Sequence, residues 1–194
     1  MCRADLIAIT MLLALWGGCG QRPVVKTAEV AVATSAPPAV APSQQAAAVD
    51  NAELVVMYND DQVDRQGGGS DWKAAAERDE QRERRVRDLV AVGALQTGMD
   101  YHRAALIMQH SADVEGIELA HELAMIAVAM GDSSAKWLAA ASYDRLLTRL
   151  GRGQRFGTQS VSSGAGEAMH LAPVEAGVTD EMRRRMNCPA MGGG

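Results

Sequence analysis

The side chains of this chain that are best suited to chemistry are His110 and Asp144, which fall in two apolar segments with helical spacing. Asp144 would project from the apolar face of its helix, where an unpaired carboxylate costs free energy. It therefore needs a partner. Arg145 would point roughly 100° away around the same helix, which leaves His110, Arg65 or the backbone N–H groups of residues 157–159 as candidates.

Two interpretations of these polar residues stay open. In the first, they form a buried hydrogen-bonded network that pins helices and a loop together. In the second, they form a ligand-binding or catalytic cluster. His110 would then act as general acid–base, Asp144 would orient it, and Arg145 or Gln159 would bind the substrate.

Other catalytic signatures fail on inspection of the sequence. His121-Glu122 begins like the zinc-binding motif His-Glu-x-x-His, but Met125 occupies the place of the second histidine. His102 could join His110 only across a turn or more, so the sequence predicts no metal site. It also contains no Gly-x-Ser-x-Gly elbow and no phosphate-cradling glycine loop, and no cofactor is predicted.

Several polar residues recur in a wider pattern along the chain. The order Asp-Gln-x-Asp-Arg, Gln-His, Asp-Arg and Gly-Gln-x-Phe-Gly-Thr-Gln, over roughly residues 54–159, resembles a bacterial domain-of-unknown-function family. The resemblance implies a helical domain and a set of binding residues, but no known reaction. The residues so implied are Asp61, Arg65, His110, Asp144, Arg145, Gln154, Thr158 and Gln159.

The N-terminus resembles a bacterial lipobox. Arg3 precedes an apolar run over residues 6–16, and Gly17-Gly18 supply small residues before Cys19. The resemblance implies that residues 1–18 are a signal peptide and that Cys19 carries the lipid. An uncleaved anchor is the alternative, but the apolar run is short of the roughly 20 residues that a spanning helix needs.

The composition changes after the predicted lipid anchor. Residues 19–50 are rich in Ala, Val, Pro, Ser and Gln, and from residue 20 onward they contain no Leu, Ile, Met or aromatic side chain. Such a segment buries too little apolar surface to offset its ordering entropy, so we expect a disordered tether. The formal net charge of −5 excludes nucleic acid as an expected partner. Cys188 would remain as a loop thiol without a disulfide partner.

Residues 51–191 predict a single all-α domain, with about five helices in a compact helical-hairpin bundle. Asp50 is expected to cap the first helix, and the charge run over residues 77–85 is expected to form a solvated helix face. The basic run over residues 183–185 has the same interpretation, with salt bridges back to the domain as the alternative. The predicted helices cover residues 51–66, 72–95, 99–110, 114–130 and 134–150, with a short one over 179–186.

These expectations combine into one functional hypothesis. The chain is predicted to be a membrane-anchored envelope lipoprotein of binding or scaffolding type, attached to the lipid bilayer through Cys19. Its other partner would be an unidentified envelope protein or glycan. Gly20 after the cysteine resembles sorting to the outer membrane, facing the periplasm. The alternative is a hydrolase or lyase that acts on an envelope polymer with His110 as general acid–base and Asp144 beside it.

Overall fold

The first helix of the domain is capped by Asn51, one residue after the cap that the sequence predicted. The computed structural model describes residues 48–66, 72–162, 164 and 167–192. The predicted signal peptide, Cys19 and residues 20–47 of the predicted tether lie outside the described residues. Helix α1 spans Ala52–Gln66, and Asn51 Oδ1 accepts a hydrogen bond from the Leu54 N–H at 3.1 Å.

Asp50 therefore does not cap α1, and the prediction that it would is wrong. Its carboxylate instead accepts hydrogen bonds from the Thr97 hydroxyl at 2.8 Å and from the Arg103 guanidinium at 2.7 Å. Because these bonds tie Asp50 to the helical core, this residue belongs with the domain and not with the predicted tether.

Helix α2 covers Trp72–Ala91, which makes it shorter than predicted. The chain leaves the helix through Gly93, whose φ of +66° lies in the left-handed region that favours glycine. Helix α3 then covers Gly98–Met108 and begins with a capping box between Thr97 and Asp100.

Two further helices follow closely. Asp113 accepts a hydrogen bond from the Gly116 N–H at the start of α4, which spans Val114–Ala129. A short 3-10 turn over Ser133–Ala135 leads into α5, which spans Lys136–Arg149. Asp132 caps that turn, because its carboxylate accepts a hydrogen bond from the Ser134 N–H at 3.0 Å.

Helix α4 lies between α3 and α5. Its sequence predicts two such neighbours, because Ile117 and Ala124 lie on one apolar stripe and Ala120, Leu123 and Ala127 on a neighbouring one. Its buried residues are mostly small, and together with large side chains from α1, α2 and α3 they fill the core. The central core members are Leu54, Val86, Leu89, Ala104, Ala105, Ile107, Met108, Ala120, Leu123, Ala124 and Leu138.

The C-terminal part contains a strand pair that the sequence did not predict and a short helix that it did. Strands β1 (Ser160–Val161) and β2 (His170–Leu171) pair antiparallel, and helix α6 (Asp180–Arg185) follows. Arg183 is buried and donates to the Val178 carbonyl and to Asp180, so it does not belong to the solvated face predicted for the basic run.

The all-α prediction is confirmed for the described part of the chain, which contains six helices and one very short strand pair. No helix within these described residues is long and apolar enough to span a membrane.

Candidate functional site

Asp144 is fully buried on α5 and holds the loop that follows the helix. Its carboxylate accepts hydrogen bonds from the N–H groups of Arg155 (2.6 Å), Phe156 (2.9 Å) and Thr158 (3.1 Å), and from the Thr158 hydroxyl (2.8 Å). Gly157, with φ of +75°, lets the loop curl around this carboxylate. Of the N–H groups of residues 157–159 that were expected as partners of Asp144, only that of Thr158 binds it, and the N–H groups of Arg155 and Phe156 were not expected.

Gln154 completes this arrangement, which we call the loop anchor (Asp144, Gln154, Thr158 and Gln159). The buried Gln154 amide donates to the carbonyls of Gln159 and Ala172, each at 2.8 Å, and accepts from the Gln159 N–H at 2.7 Å. Every bond-forming group of this side chain is therefore used. The loop anchor is a hydrogen-bonded support of the kind that the first interpretation describes.

Arg145 is placed by this loop. Its Nε donates to Gln159 Oε1 at 3.2 Å, and its Nη1 donates to the carbonyl of Gln109 at 2.5 Å. The Gln159 amide is itself fixed, because it donates to the Ala141 carbonyl at 3.1 Å. Asp144 therefore acts on Arg145 through the loop and Gln159, and not by direct contact.

The guanidinium of Arg145 is partly buried between neutral oxygens. Burial lowers its pKa, and the positive charges of Arg149 and Arg65 lower the pKa further. Among the described residues, no carboxylate forms an ion pair with it. A cation held in this way is electrostatically uncompensated, which is unusual for a purely structural contact.

A second group of charges converges on Asp61 of α1, which is completely buried. Its carboxylate accepts hydrogen bonds from Gln62 at 2.9 Å and from Arg65 at 3.2 Å, and the Nε2 atom of His110 lies 3.6 Å away. Burial raises the pKa of Asp61, and the charges of Arg65 and Arg82 oppose that shift.

The charge run on α2 supplies further members of this group. Arg82 is buried and pairs with Asp64 at 2.8 Å and with Asp79 at 2.7 Å. The prediction of a fully solvated face is wrong for these residues, because they face α1. Three arginines thus meet three aspartates in one network: Arg65, Arg78 and Arg82 with Asp61, Asp64 and Asp79.

His110 lies in the turn after α3, with a side chain that is 20% exposed. Burial, together with the charges of Arg65 and Arg145, lowers the pKa of His110 to about 4. The imidazole is therefore neutral at pH 7. The contacts of the described residues place Asp61 beside His110, whereas Asp144 is occupied by the loop, so the hypothesis that Asp144 orients this histidine does not hold.

The structure thus divides the predicted site residues into two sets. Asp144, Gln154, Thr158 and Gln159 form the loop anchor. Arg65, His110 and Arg145 form what we call the basic site, and Asp61 lies beneath its histidine. Arg82 and Asp79 were missed as members of this region, although their spacing of three residues on a helix is a signal for facing charges.

Other chemically suggestive residues have structural partners. His121 Nδ1 lies 2.9 Å from the Ala139 carbonyl oxygen, and His102 Nδ1 lies 2.7 Å from Asp132 Oδ2. Burial raises the pKa of the Cys188 thiol to about 11, which leaves it protonated and unreactive at neutral pH. Within the described ranges, no group of three or more His, Cys, Asp or Glu residues could hold a metal ion.

Comparisons of the chain with known protein families, with characterised proteins and with solved structures find no match in any of the three. The resemblance to a bacterial family therefore stays a prediction, and the case for function rests on the basic site itself.

Proposed function

We propose that this protein is a lipid-anchored lipoprotein of the cell envelope whose helical domain is a binding module. Cys19 would attach it to the bilayer of the outer membrane on the periplasmic side. The helical domain would bind an envelope protein or a glycan at the basic site. Sequence carries the anchoring half of this proposal, and the geometry of Arg65, His110 and Arg145 supports the binding half.

The observation that supports binding most strongly is that Arg145 lacks a counter-charge among the described residues. The neighbouring network balances its three arginines with three aspartates, but Arg145 has no anionic partner among the described residues. Burying an unpaired guanidinium costs free energy, so a purely structural role does not account for it. A ligand would supply the missing interaction.

The exposure of these side chains fits the same role. The supporting residues Asp144 and Gln154 are completely buried, whereas the side chains of His110 and Arg65 are 20% and 30% exposed. The buried residues hold the loop, and Gln159 of that loop fixes Arg145; such rigid support keeps a binding residue in place without ligand.

Enzymatic activity is the second candidate, and one observation favours it. The neutral imidazole of His110 lies 3.6 Å from the buried Asp61 carboxylate, which would orient it as a general base. A hydrolase or lyase acting on an envelope polymer would use this pair to activate water or remove a proton.

One experiment separates the two candidates. Purified full-length lipoprotein in detergent is incubated with isolated peptidoglycan sacculi and with solubilised outer-membrane protein, and both retention and released fragments are measured. We expect retention on one of the two without fragments, and weaker retention of Arg145→Gln than of the control Arg84→Gln, which alters an exposed arginine on α2. Soluble fragments that disappear in His110→Gln would replace the binding proposal with the enzymatic one. Neither retention nor released fragments from either material would contradict both.

A further inference from the structure

The basic site contains a single unbalanced positive charge. His110 is neutral at pH 7 because its pKa is lowered to about 4, and Arg65 is already paired with Asp61 and Asp79. Arg145 alone is left without a counter-charge among the described residues. One extra positive charge is best balanced by one negative charge.

The bonding of Arg145 leaves part of its guanidinium available. Nε and Nη1 donate to Gln159 and Gln109, whereas Nη2 makes no hydrogen bond to any described residue. The Nη2 atom is also not fully buried, so it keeps some contact with solvent. The N–H groups of Nη2 can therefore donate to a ligand.

We propose that the basic site binds a carboxylate monoanion, with the Nη2 side of Arg145 as its main donor and Arg65 and His110 beside it. This inference rests on the proposed binding function of the same site. A guanidinium donates in parallel to both oxygens of a carboxylate, which gives orientation as well as charge compensation.

A carboxylate fits this site better than a phosphate does. A phosphate near pH 7 carries about 1.5 to 2 negative charges, and the charge beyond the first would add to the repulsion from the buried Asp61 carboxylate. A monoanion compensates the charge of Arg145 and is repelled by the Asp61 carboxylate less than a dianion is. Peptide C-termini and sugar acids both offer this chemistry, and the probes below distinguish them.

The test uses imidazole NMR signals of the full-length lipoprotein in detergent micelles. The probes are N-acetylglycine, its uncharged amide, glucuronate and inorganic phosphate. We expect N-acetylglycine or glucuronate to shift the His110 signal and to raise the pKa of His110, because a nearby anion favours the imidazolium. The amide should have no such effect, and phosphate should bind more weakly than the better carboxylate.

Variants of Arg145 and of a control arginine test whether the carboxylate probe binds at Arg145. Arg145→Gln should weaken binding of the carboxylate probe by on the order of tenfold or more, whereas Arg84→Gln should keep it, because this exposed arginine on α2 pairs with Glu80. Unchanged His102 and His121 signals show that a variant is folded. If Arg145→Gln does not fold, the comparison of N-acetylglycine with its amide in the unaltered protein still decides.

Equal responses to acid and amide, tighter binding of phosphate, or full binding by folded Arg145→Gln would overturn the inference. Retention on envelope material without any response to carboxylates would overturn it while leaving the proposed function standing. Carboxylate binding without retention on envelope material would support the inference and contradict the proposed partner.

Discussion

At the residue scale, the adjacent residues Asp144 and Arg145 have different roles. Asp144 points into the core and collects the loop, while Arg145 points toward the turn after α3. Sequence reasoning predicted both the need of Asp144 for a partner and the divergence of the two side chains, because helical geometry fixes them. It did not predict that Gln159 links them, since that contact depends on the path of the loop.

Replacement of Asp144 by Ala should destabilise the domain by about 1–3 kcal/mol, because buried N–H groups of the loop would lose their acceptor. Urea denaturation measures the change. The control is Asp88→Ala, whose side chain is 69% exposed and pairs with Arg85 only at 4.0 Å, so its effect should stay within about 0.5 kcal/mol. An Asp144→Ala protein as stable as the parent would contradict a supporting role for the loop anchor.

His110 should make the stability of the domain depend on pH. Its pKa is about 4 in the folded protein and near 6.5 when unperturbed, so the unfolded chain binds more protons between these values. Stability from this group is therefore complete above pH 6.5 and declines as the pH falls toward 4. From pH 7 to pH 5 the loss amounts to about 2 kcal/mol.

The charges around this imidazole bear on the measurement. Arg65, Arg145 and Arg82 disfavour the protonated form and Asp79 favours it, while the raised pKa of Asp61 contributes a slope of opposite sign. Denaturation curves at pH 7 and pH 5 should show a smaller loss for His110→Gln than for the parent protein. Equal losses in the two proteins would rule out a depressed pKa for His110.

At the element scale, the helices with strong apolar periodicity were predictable and the charged or irregular ones were less so. The stripes of α4 predicted its position between α3 and α5, because small apolar residues on two faces require two neighbours. The charge run of α2 gave no sign of which side faces α1, since hydrophobic periodicity says nothing about buried ion pairs. The β1–β2 pair escaped prediction because two-residue strands carry no period.

Gly116, at the start of α4, tests how closely this helix packs against the turn after α3. A Cβ atom at Gly116 would lie 2.0 Å from Ser111 Oγ and 2.4 Å from Ser111 Cβ, in the turn that follows His110. Gly116→Ala should therefore cost about 1–3 kcal/mol through overpacking. The control is Gly98→Ala in the first turn of α3, where the nearest atoms lie at 3.4 Å, so it should be tolerated. Thermal unfolding of both variants gives the comparison.

At the scale of the whole molecule, the proposal joins two features that no described contact connects. The lipid anchor is predicted from residues 1–19, and the binding site belongs to the helical domain. Sequence alone suggests the first through its resemblance to a lipobox. The second required coordinates, because the missing counter-charge of Arg145 is a property of its surroundings and not of its own residue type.

The anchor has a direct test. Cys19→Ala should abolish incorporation of a palmitate analogue into the protein in living cells, because the thiol that receives the lipid is removed. Cys2→Ala, within the predicted signal peptide, should leave labelling intact and serves as the control. Label retained in Cys19→Ala would refute the lipoprotein proposal without affecting the carboxylate inference.

Because Cys188 is buried, its reactivity reports local opening of the C-terminal segment. This thiol is 4% exposed and its pKa is about 11, so alkylating reagents at neutral pH reach it only when the C-terminal segment opens. The rate at which Cys188 is alkylated therefore measures how often that segment separates from the helices. The same burial lets a new surface cysteine be modified selectively while the native chain stays intact.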